Sequence, residues 1–412
     1  MDEELYVCDE CIDDADIQEL INDLVKENEC SFCGRVEDEP CAAPIEPVGE
    51  LIRECVTRTY TDPANVLSYE SREGGYQGSV YDTEELLYDV VGLHLPNDDG
   101  QLIGLISGIV DYTGADAWCE ENYYGTDEDD MLIYSWQGFC NLVMRSRRFF
   151  FNSVENDPDD HEKMSPSQLF EILRRAIVRH GLINELTPSE KLHRVRFVEN
   201  GEKYTLPHEL GPPPEELATQ ANRMSPPGIP MFYCAHSLQT ALRETVNEAG
   251  TFCATLWHVT EAKHILDLTR LPRPVGFFNN DWSLDRDTIS FLHRFVGEFS
   301  KPIERDRSTR HVDYIPTQAF TEFVRYMNEN TDAPDIMGIR YPSAVDAGSS
   351  LVLFATQTEI VGGKVPDYMR SSPWIAMSKR HEMHISTEKL AEWQQEPEQT
   401  SLWGFATRNQ QQ

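Results

Sequence analysis

The chain has 412 residues, 40% hydrophobic and 26% charged, which leaves room for two folded units plus a small module and excludes global disorder. Seventy-one acidic residues against thirty-five basic ones give a net charge of −36, a field that repels nucleic acid and anionic membrane. No run approaches the roughly 20 apolar residues of a membrane span, and Met1-Asp2-Glu3-Glu4 is acidic where a signal peptide is basic, so a cytoplasmic protein is expected.

The first motif is Cys8-x-x-Cys11, followed after eighteen intervening residues by Cys30-Ser31-Phe32-Cys33-Gly34. Two such knuckles are the spacing that a tetrahedral four-thiolate Zn2+ site needs, and four thiolates leave no open position for water, so the site is read as structural. Between the knuckles Ile17, Leu20, Ile21, Leu24 and Val25 recur with helical period and predict a short amphipathic helix. The other six of ten cysteines are scattered without even spacing, as in a reducing compartment.

An acidic segment follows. Tyr69 to Gly78, with Arg72 and Tyr76 beside glycines, reads as a surface turn, and Asp127-Glu128-Asp129-Asp130 as a solvated loop. Arg145, Arg147 and Arg148 before Phe149, Phe150 and Phe151 read as a helix end packed on the core. Asn156 to Asp160 reads as a linker, after which Ser165-Pro166-Ser167-Gln168 predicts a capped helix that buries Leu169, Ile172, Leu173, Ala176 and Ile177 and stops at Gly181.

His193 to Phe197 alternates like a strand. Next come a Pro/Gly loop from Arg223 to Pro230, a strand at Met231 to Ala235 and a helix capped by Ser237, with Glu244 about two turns in. Thr317 to Met327 carries an apolar helical stripe, Ile336 to Tyr341 reads as a strand and Leu351 to Phe354 as a buried one. His381-x-x-His384 lacks a third ligand and reads as a surface pair.

The stretch Arg223-Met224-Ser225-Pro226-Pro227-Gly228-Ile229-Pro230, then Tyr233-Cys234-Ala235, then Thr240-Ala241-Leu242-Arg243-Glu244, resembles the RES domain family, named for its Arg, Glu and Ser. Tyr314 to Phe320 and Gly338 to Ser343 resemble its later blocks, and the likeness runs from about residue 190 to about 360. Two departures are Asn222, where many members carry Gly, and a long Glu244 to Ser343 separation that points to an insertion near Phe277 to His311. The N-terminal region also resembles the domain found ahead of HEPN or RES domains, where four-cysteine ribbons recur, with phage defence or stress response implied.

The resemblance implies an ADP-ribosyltransferase-like fold and an NAD-consuming toxin, partnered by an antitoxin in compact members. Glu244 would face the anomeric carbon of the scissile nicotinamide–ribose bond, where a carboxylate stabilises an oxocarbenium-like state. Arg223 would hold the pyrophosphate, Tyr233 the nicotinamide riboside half, and Ser343 a ribose or phosphate oxygen. The acceptor, whether phosphate, water or a protein, stays open. The competing reading is a non-catalytic zinc-ribbon adaptor whose RES cleft only binds a dinucleotide.

The expected architecture is α+β. It comprises a zinc-ribbon module at 1–42, an acidic helical-to-mixed domain at 43–160, a connecting helix at 161–185, a RES domain at 186–395 and a Gln-rich tail at 396–412. Acidic residues flank the knuckles, with Arg35 the one basic residue close by, so protein contact is a better use of that surface than nucleic acid.

Overall fold

A computed structural model describes residues 4–395 except 73, 97, 112–116, 124–127, 155–163, 200, 280, 282–284, 301–309 and 330. The expected linker at 156–160 and the tail at 396–412 lie outside the described residues. The chain divides into two compact units, Met1–Glu128 with Arg273–Ser290, and Asp129–Pro272 with Phe291–Gln412. This grouping differs from the expected boundaries. Residues 1–42 share one core with the helices that follow them, and the helix expected as a connector lies in the core of the second unit.

In the first unit, strands Tyr6–Cys8 (β1) and Ala42–Pro44 (β2) pair antiparallel. Helix Ala15–Leu24 (α1) starts where the Asp14 carboxylate accepts from the backbone N–H of Asp16 and Ile17, satisfying two donors that no earlier turn can reach. Its Ile17 and Ile21 are fully buried. Helices Ile45–Thr59 (α2) and Gln101–Val110 (α3) complete the layer, packing Val48, Ile52 and Val56 with Leu102, Ile103 and Ile106. Tyr69–Glu70 and Gly75–Tyr76 form a two-stranded turn in which the two tyrosine rings meet edge to face.

The segment at 273–290 folds into this unit although it stands some 145 residues further along the chain. Phe278 is 2% exposed within the first unit's core. Asn279 Nδ2 donates to Asp16 Oδ1 (2.7 Å), Arg58 donates to the Asn279 carbonyl (3.0 Å), and Arg286 donates to the carbonyls of Gly276 (2.7 Å) and Phe277 (3.0 Å).

The second unit is built on an eight-stranded mixed sheet. In chain order its strands are Ile183–Leu186 (β3), Leu192–Val198 (β4), Phe232–Ala235 (β5), Gly250–Val259 (β6), Lys263–Asp267 (β7), Ile336–Pro342 (β8), Ser349–Leu353 (β9) and Ile375–Ile385 (β10). Across the sheet they run β10-β6-β4-β5-β9-β8-β7-β3. All neighbours are antiparallel except β7 and β8, so a long crossover must join those two.

Helices Glu128–Arg145 (α4), Pro166–Arg179 (α5), Leu238–Thr245 (α6), Arg286–Ser300 (α7) and Ile315–Tyr326 (α8) accompany the sheet. Ser165 and Gln168 form the reciprocal cap of α5. One face of the sheet, through Ile339, Tyr341 and Val352, joins a core with Trp136, Phe139, Leu169, Leu173, Phe295 and Phe320. Strand alternation sends Phe232, Cys234, Leu351 and Leu353 to a separate core on the other face. Each fully buried Phe or Leu contributes about 1.5–3 kcal/mol.

Two local expectations are corrected. Asp127 lies outside the described residues, but the rest of the run expected as a loop opens α4, which starts at Glu128, and Asp130 pairs with Arg294 at 2.8 Å. The aromatic run after α4 does not pack as a block: Phe149 and Phe150 are 85% and 79% exposed, and only Phe151 meets the rings of Phe139 and Phe170.

Candidate functional site

The cysteine knuckles come together in the first unit. Cys8 Sγ lies 3.7 Å from Cys11 Sγ and 3.5 Å from Cys33 Sγ, and Cys11 Sγ lies 3.7 Å from Cys30 Sγ. All four sulfurs fall within 4.8 Å of one another. Metal–sulfur bonds of ~2.3 Å in a tetrahedron put sulfurs about 3.8 Å apart, so the donor set fits one metal ion. The thiols share protons unevenly. A hydrogen bond from Cys11 holds the Cys30 thiol down to about 4, helped by the backbone N–H groups of Cys33, Phe32 and Cys8, while burial pushes Cys8 up to about 11. Gly34, at φ +70°, lets the chain leave the second knuckle. His381 and His384 stand on strand β10, where residues three apart point to opposite faces, so they cannot share an ion.

The second cluster gathers at the sheet's centre. Tyr341, Ser350 and Ala235 stand side by side across β8, β9 and β5, and Tyr233 shares their face two residues before Ala235. Helix α6 follows β5 directly, capped by the Ser237 hydroxyl accepting from the Thr240 N–H (2.9 Å). Its next turn brings Glu244 over the ends of β8 and β9. There the Ser343 hydroxyl donates to Glu244 Oε1 at 2.7 Å and the Ser350 hydroxyl donates to the same oxygen at 3.2 Å. The Ser343 oxygen also accepts from the Val345 N–H (3.2 Å), which closes the loop after β8. At Gly348 a side chain would collide with Thr240 Oγ1, so glycine lets this loop lie against the start of α6.

Tyr341 is buried, and its phenol titrates far above its ordinary range, first because of burial and then because of the negative charge of Glu244 and the Tyr233 phenol; Arg223 acts in the opposite direction. Glu244 and Ser343 are thus in direct contact at the strand ends, while Tyr233 lies on the same sheet face as Tyr341 and bonds the loop that carries Arg223. Burial likewise raises Tyr233 to about 12. Its hydroxyl accepts from the Met224 N–H (3.3 Å) and bonds the Ser225 hydroxyl (3.0 Å), so it holds the Arg223 loop. In this structure the Ser343 hydroxyl is engaged with Glu244, and the Tyr233 hydroxyl with the loop.

The sequence reading missed Ser350 and gave Tyr341 no role. The only signal for Ser350 was its place in Gly348-Ser349-Ser350 ahead of an apolar run, which becomes meaningful once strand register sets it opposite Tyr341. On the other sheet face Arg340 is buried between Asp267 (2.8 Å) and Glu190 (2.6 Å), beside His236. Arg194 donates to the carbonyls of Tyr233 (2.7 Å), Leu210 (3.0 Å) and Gly211 (3.2 Å), and burial lowers it to about 10. A groove of about 410 Å³ runs between Pro213–Leu217, Pro230 and Thr356–Met369, and none of the four expected site residues lines it. In it Gln357 Nε2 is taken by the His208 carbonyl (3.0 Å) and the Thr356 hydroxyl by its own turn.

Residues 191–374 match the family model described as RES domain, and residues 23–157 match that described as HEPN/RES N-terminal domain 1. No curated protein and no solved structure matches the chain. Among the described residues no helix is long and apolar enough to cross a membrane. The chain thus pairs a stretch that matches HEPN/RES N-terminal domain 1 with a C-terminal stretch that matches the RES domain.

Proposed function

We propose that the RES domain binds NAD and breaks the bond between nicotinamide and ribose, with Glu244 as the carboxylate facing the anomeric carbon. The observation that carries this reading is the Glu244 carboxylate fixed by two serine hydroxyls at the strand ends, on the sheet face that carries Tyr341 and Tyr233. As the C–N bond breaks, its electron pair leaves with nicotinamide and positive charge spreads over the ribose carbon and ring oxygen. An anionic oxygen already held in place stabilises that charge without reorganising, an effect of about 3–4 kcal/mol for one well-placed group. An acceptor oxygen from phosphate, water or a protein then bonds to the carbon and gives up its proton.

Arg223 would grip the pyrophosphate through its guanidinium fork. Tyr233 would offer its ring to the nicotinamide riboside half while its hydroxyl keeps the loop closed. Ser343 and Ser350 would orient Glu244. In the first unit Cys8, Cys11, Cys30 and Cys33 would hold Zn2+, which as a closed four-thiolate site supplies a cross-link between the knuckles and no catalytic water. In a cell the activity would make the protein a toxin or defence effector, restrained by an antitoxin-like partner or by its own N-terminal unit.

The test is nicotinamide release from NAD by the purified chain, with and without phosphate, for native protein, Glu244→Gln and Arg223→Ala. Native turnover lost by roughly 10²-fold or more in Glu244→Gln supports the reading, and dependence on phosphate identifies phosphorolysis. Binding of NAD without turnover by native protein would sink the catalytic assignment and leave the adaptor.

A further inference from the structure

The loop that carries Arg223 has no regular structure of its own, yet side chains from α8 grip it residue by residue. Gln318 Nε2 donates to the carbonyl of Asn222 (2.8 Å) and to that of Ser225 (3.3 Å). The Thr317 hydroxyl donates to the Arg223 carbonyl and reaches the Tyr314 carbonyl at 2.9 Å. One turn further, the Thr321 hydroxyl lies 3.1 Å from Met224 Sδ. Within the loop the Asn222 N–H donates to the Ser225 carbonyl (2.9 Å), and from the sheet side the Tyr233 hydroxyl takes the Met224 N–H.

Thr317, Thr321, Met224 and Ser225 are all buried. The Thr317 bond to the Arg223 carbonyl and the Gln318 bond to the Ser225 carbonyl are partly buried while that to Asn222 is exposed, so the first two, each replaced less readily by water, contribute most to keeping the loop's shape. The helix start suits this role. Pro316 stands in the first turn, where a missing N–H costs nothing and a fixed φ matches the helix. Side chains of a first turn lean back toward the helix start, which aims Thr317 and Gln318 at the loop. The stripe at Phe320 and Val324 anchors the same helix in the core.

We propose that Thr317 and Gln318 are positioning residues for Arg223, setting the place of its guanidinium by clamping the peptide groups on either side of it. The proposal rests on the NAD reading for what Arg223 binds, but the clamp itself can be judged without it. Arg223 acts on the pyrophosphate in ground state and transition state alike, so loosening it raises KM more than it lowers kcat.

The experiment compares Thr317→Val, which keeps the shape and removes the hydroxyl, Thr317→Ser, which keeps the hydroxyl, and Gln318→Met, each in the native and Arg223→Ala backgrounds. Thr317→Val with Gln318→Met is expected to raise KM for NAD about tenfold with kcat within about threefold, Thr317→Ser to stay near native, and the pair to add less than twofold once Arg223 is Ala. Full multiplication of the effects in the Arg223→Ala background, or an unchanged KM, would overturn the proposal. Amide hydrogen exchange across 222–225 in the unliganded protein is expected to speed up in Thr317→Val and Gln318→Met. Unchanged exchange overturns the clamp, whether or not NAD is the ligand. A native chain that neither binds nor cleaves NAD fails the functional reading, while exchange still decides the clamp.

Discussion

In the first 128 residues 33 Asp and Glu stand against 5 Lys and Arg, whereas the remaining 284 hold 38 against 30. The burial of charge runs the other way. Among the described residues the first unit buries Thr83, Ser107 and Thr288 but no charged side chain, while the second buries Asp267 and Arg340. The N-terminal unit thus wears its charge on the surface and is held inside by apolar helices, four clustered thiols and a borrowed segment. The RES sheet instead commits polar groups to the interior, where each contact fixes a direction. Surface charge is screened within about 10 Å and tolerates change, while interior polar groups carry geometry and tolerate little.

The hardest test of this contrast is to strip the metal proposed at the four cysteines. A structural four-thiolate site contributes on the order of 10 kcal/mol of folding free energy. Chelation, or Cys11→Ser, is therefore expected to abolish the cooperative melting of the N-terminal unit and leave the RES sheet folded, as read by calorimetry and thiol titration. Retention of that transition after chelation would show that the apolar core suffices.

Next in size are two substitutions that address the units separately. Phe278→Ala should cost about 3–5 kcal/mol by opening a cavity, with faster amide exchange in α1 and α2 although residue 278 lies in the stretch that matches the RES domain. Arg340→Ala should cost about 3 kcal/mol by leaving the fully buried Asp267 with only the more distant, exposed Arg270 (3.5 Å) as a cationic partner, whereas Arg340→Met with Asp267→Leu should recover much of it. Equal losses for the single and paired changes in urea unfolding would remove the argument that burial of unpaired charge sets the cost.

A smaller effect is expected at the candidate site. Ser350→Ala removes one of two hydroxyls on Glu244, worth about 1.5 kcal/mol to a charged acceptor, hence roughly a tenfold fall in kcat with KM kept. A rise in KM without change in kcat would mean that Ser350 serves binding.

The smallest effect concerns acid. Burial, then the Arg340 charge, lowers His236 below the ordinary histidine value; His193 also acts to lower it, and Glu190 and Asp267 act to raise it. His193 is lowered by burial and Lys191. A histidine depressed in the folded state binds fewer protons than in the unfolded chain, so stability is full above about pH 6.5 and falls as pH drops below it. The slope is at most about 1.4 kcal/mol per pH unit per histidine. Thermal melting between pH 7.5 and 5.5 should show it, and His236→Gln should flatten it; an unaltered slope would assign the acid sensitivity elsewhere.

Much of the local structure was legible in the sequence. Ser165 and Ser237 cap the helices that begin after them, because a short polar side chain before an apolar period satisfies the first free N–H groups wherever it occurs. The strand expected at His193 to Phe197 forms, because side-chain alternation needs only a neighbouring sheet. The aromatic run at 149–151 misled, because hydrophobicity tells that a ring prefers burial and not whether a surface is there to cover it.

What the sequence determined by itself was whatever depends on spacing along a few turns: the paired cysteine knuckles, the caps, the strand periods and the motif blocks from Arg223 to Ser343. Only the tertiary structure decided that two serines seven residues apart meet one oxygen of Glu244 about a hundred residues earlier, that Tyr341 is the buried ring among the site residues, that the first turn of α8 backs the Arg223 loop, and that residues 273–290 fold into the N-terminal unit. Strand register and crossover path set these meetings, and both are settled by which apolar faces find one another across the whole chain, which no local pattern records.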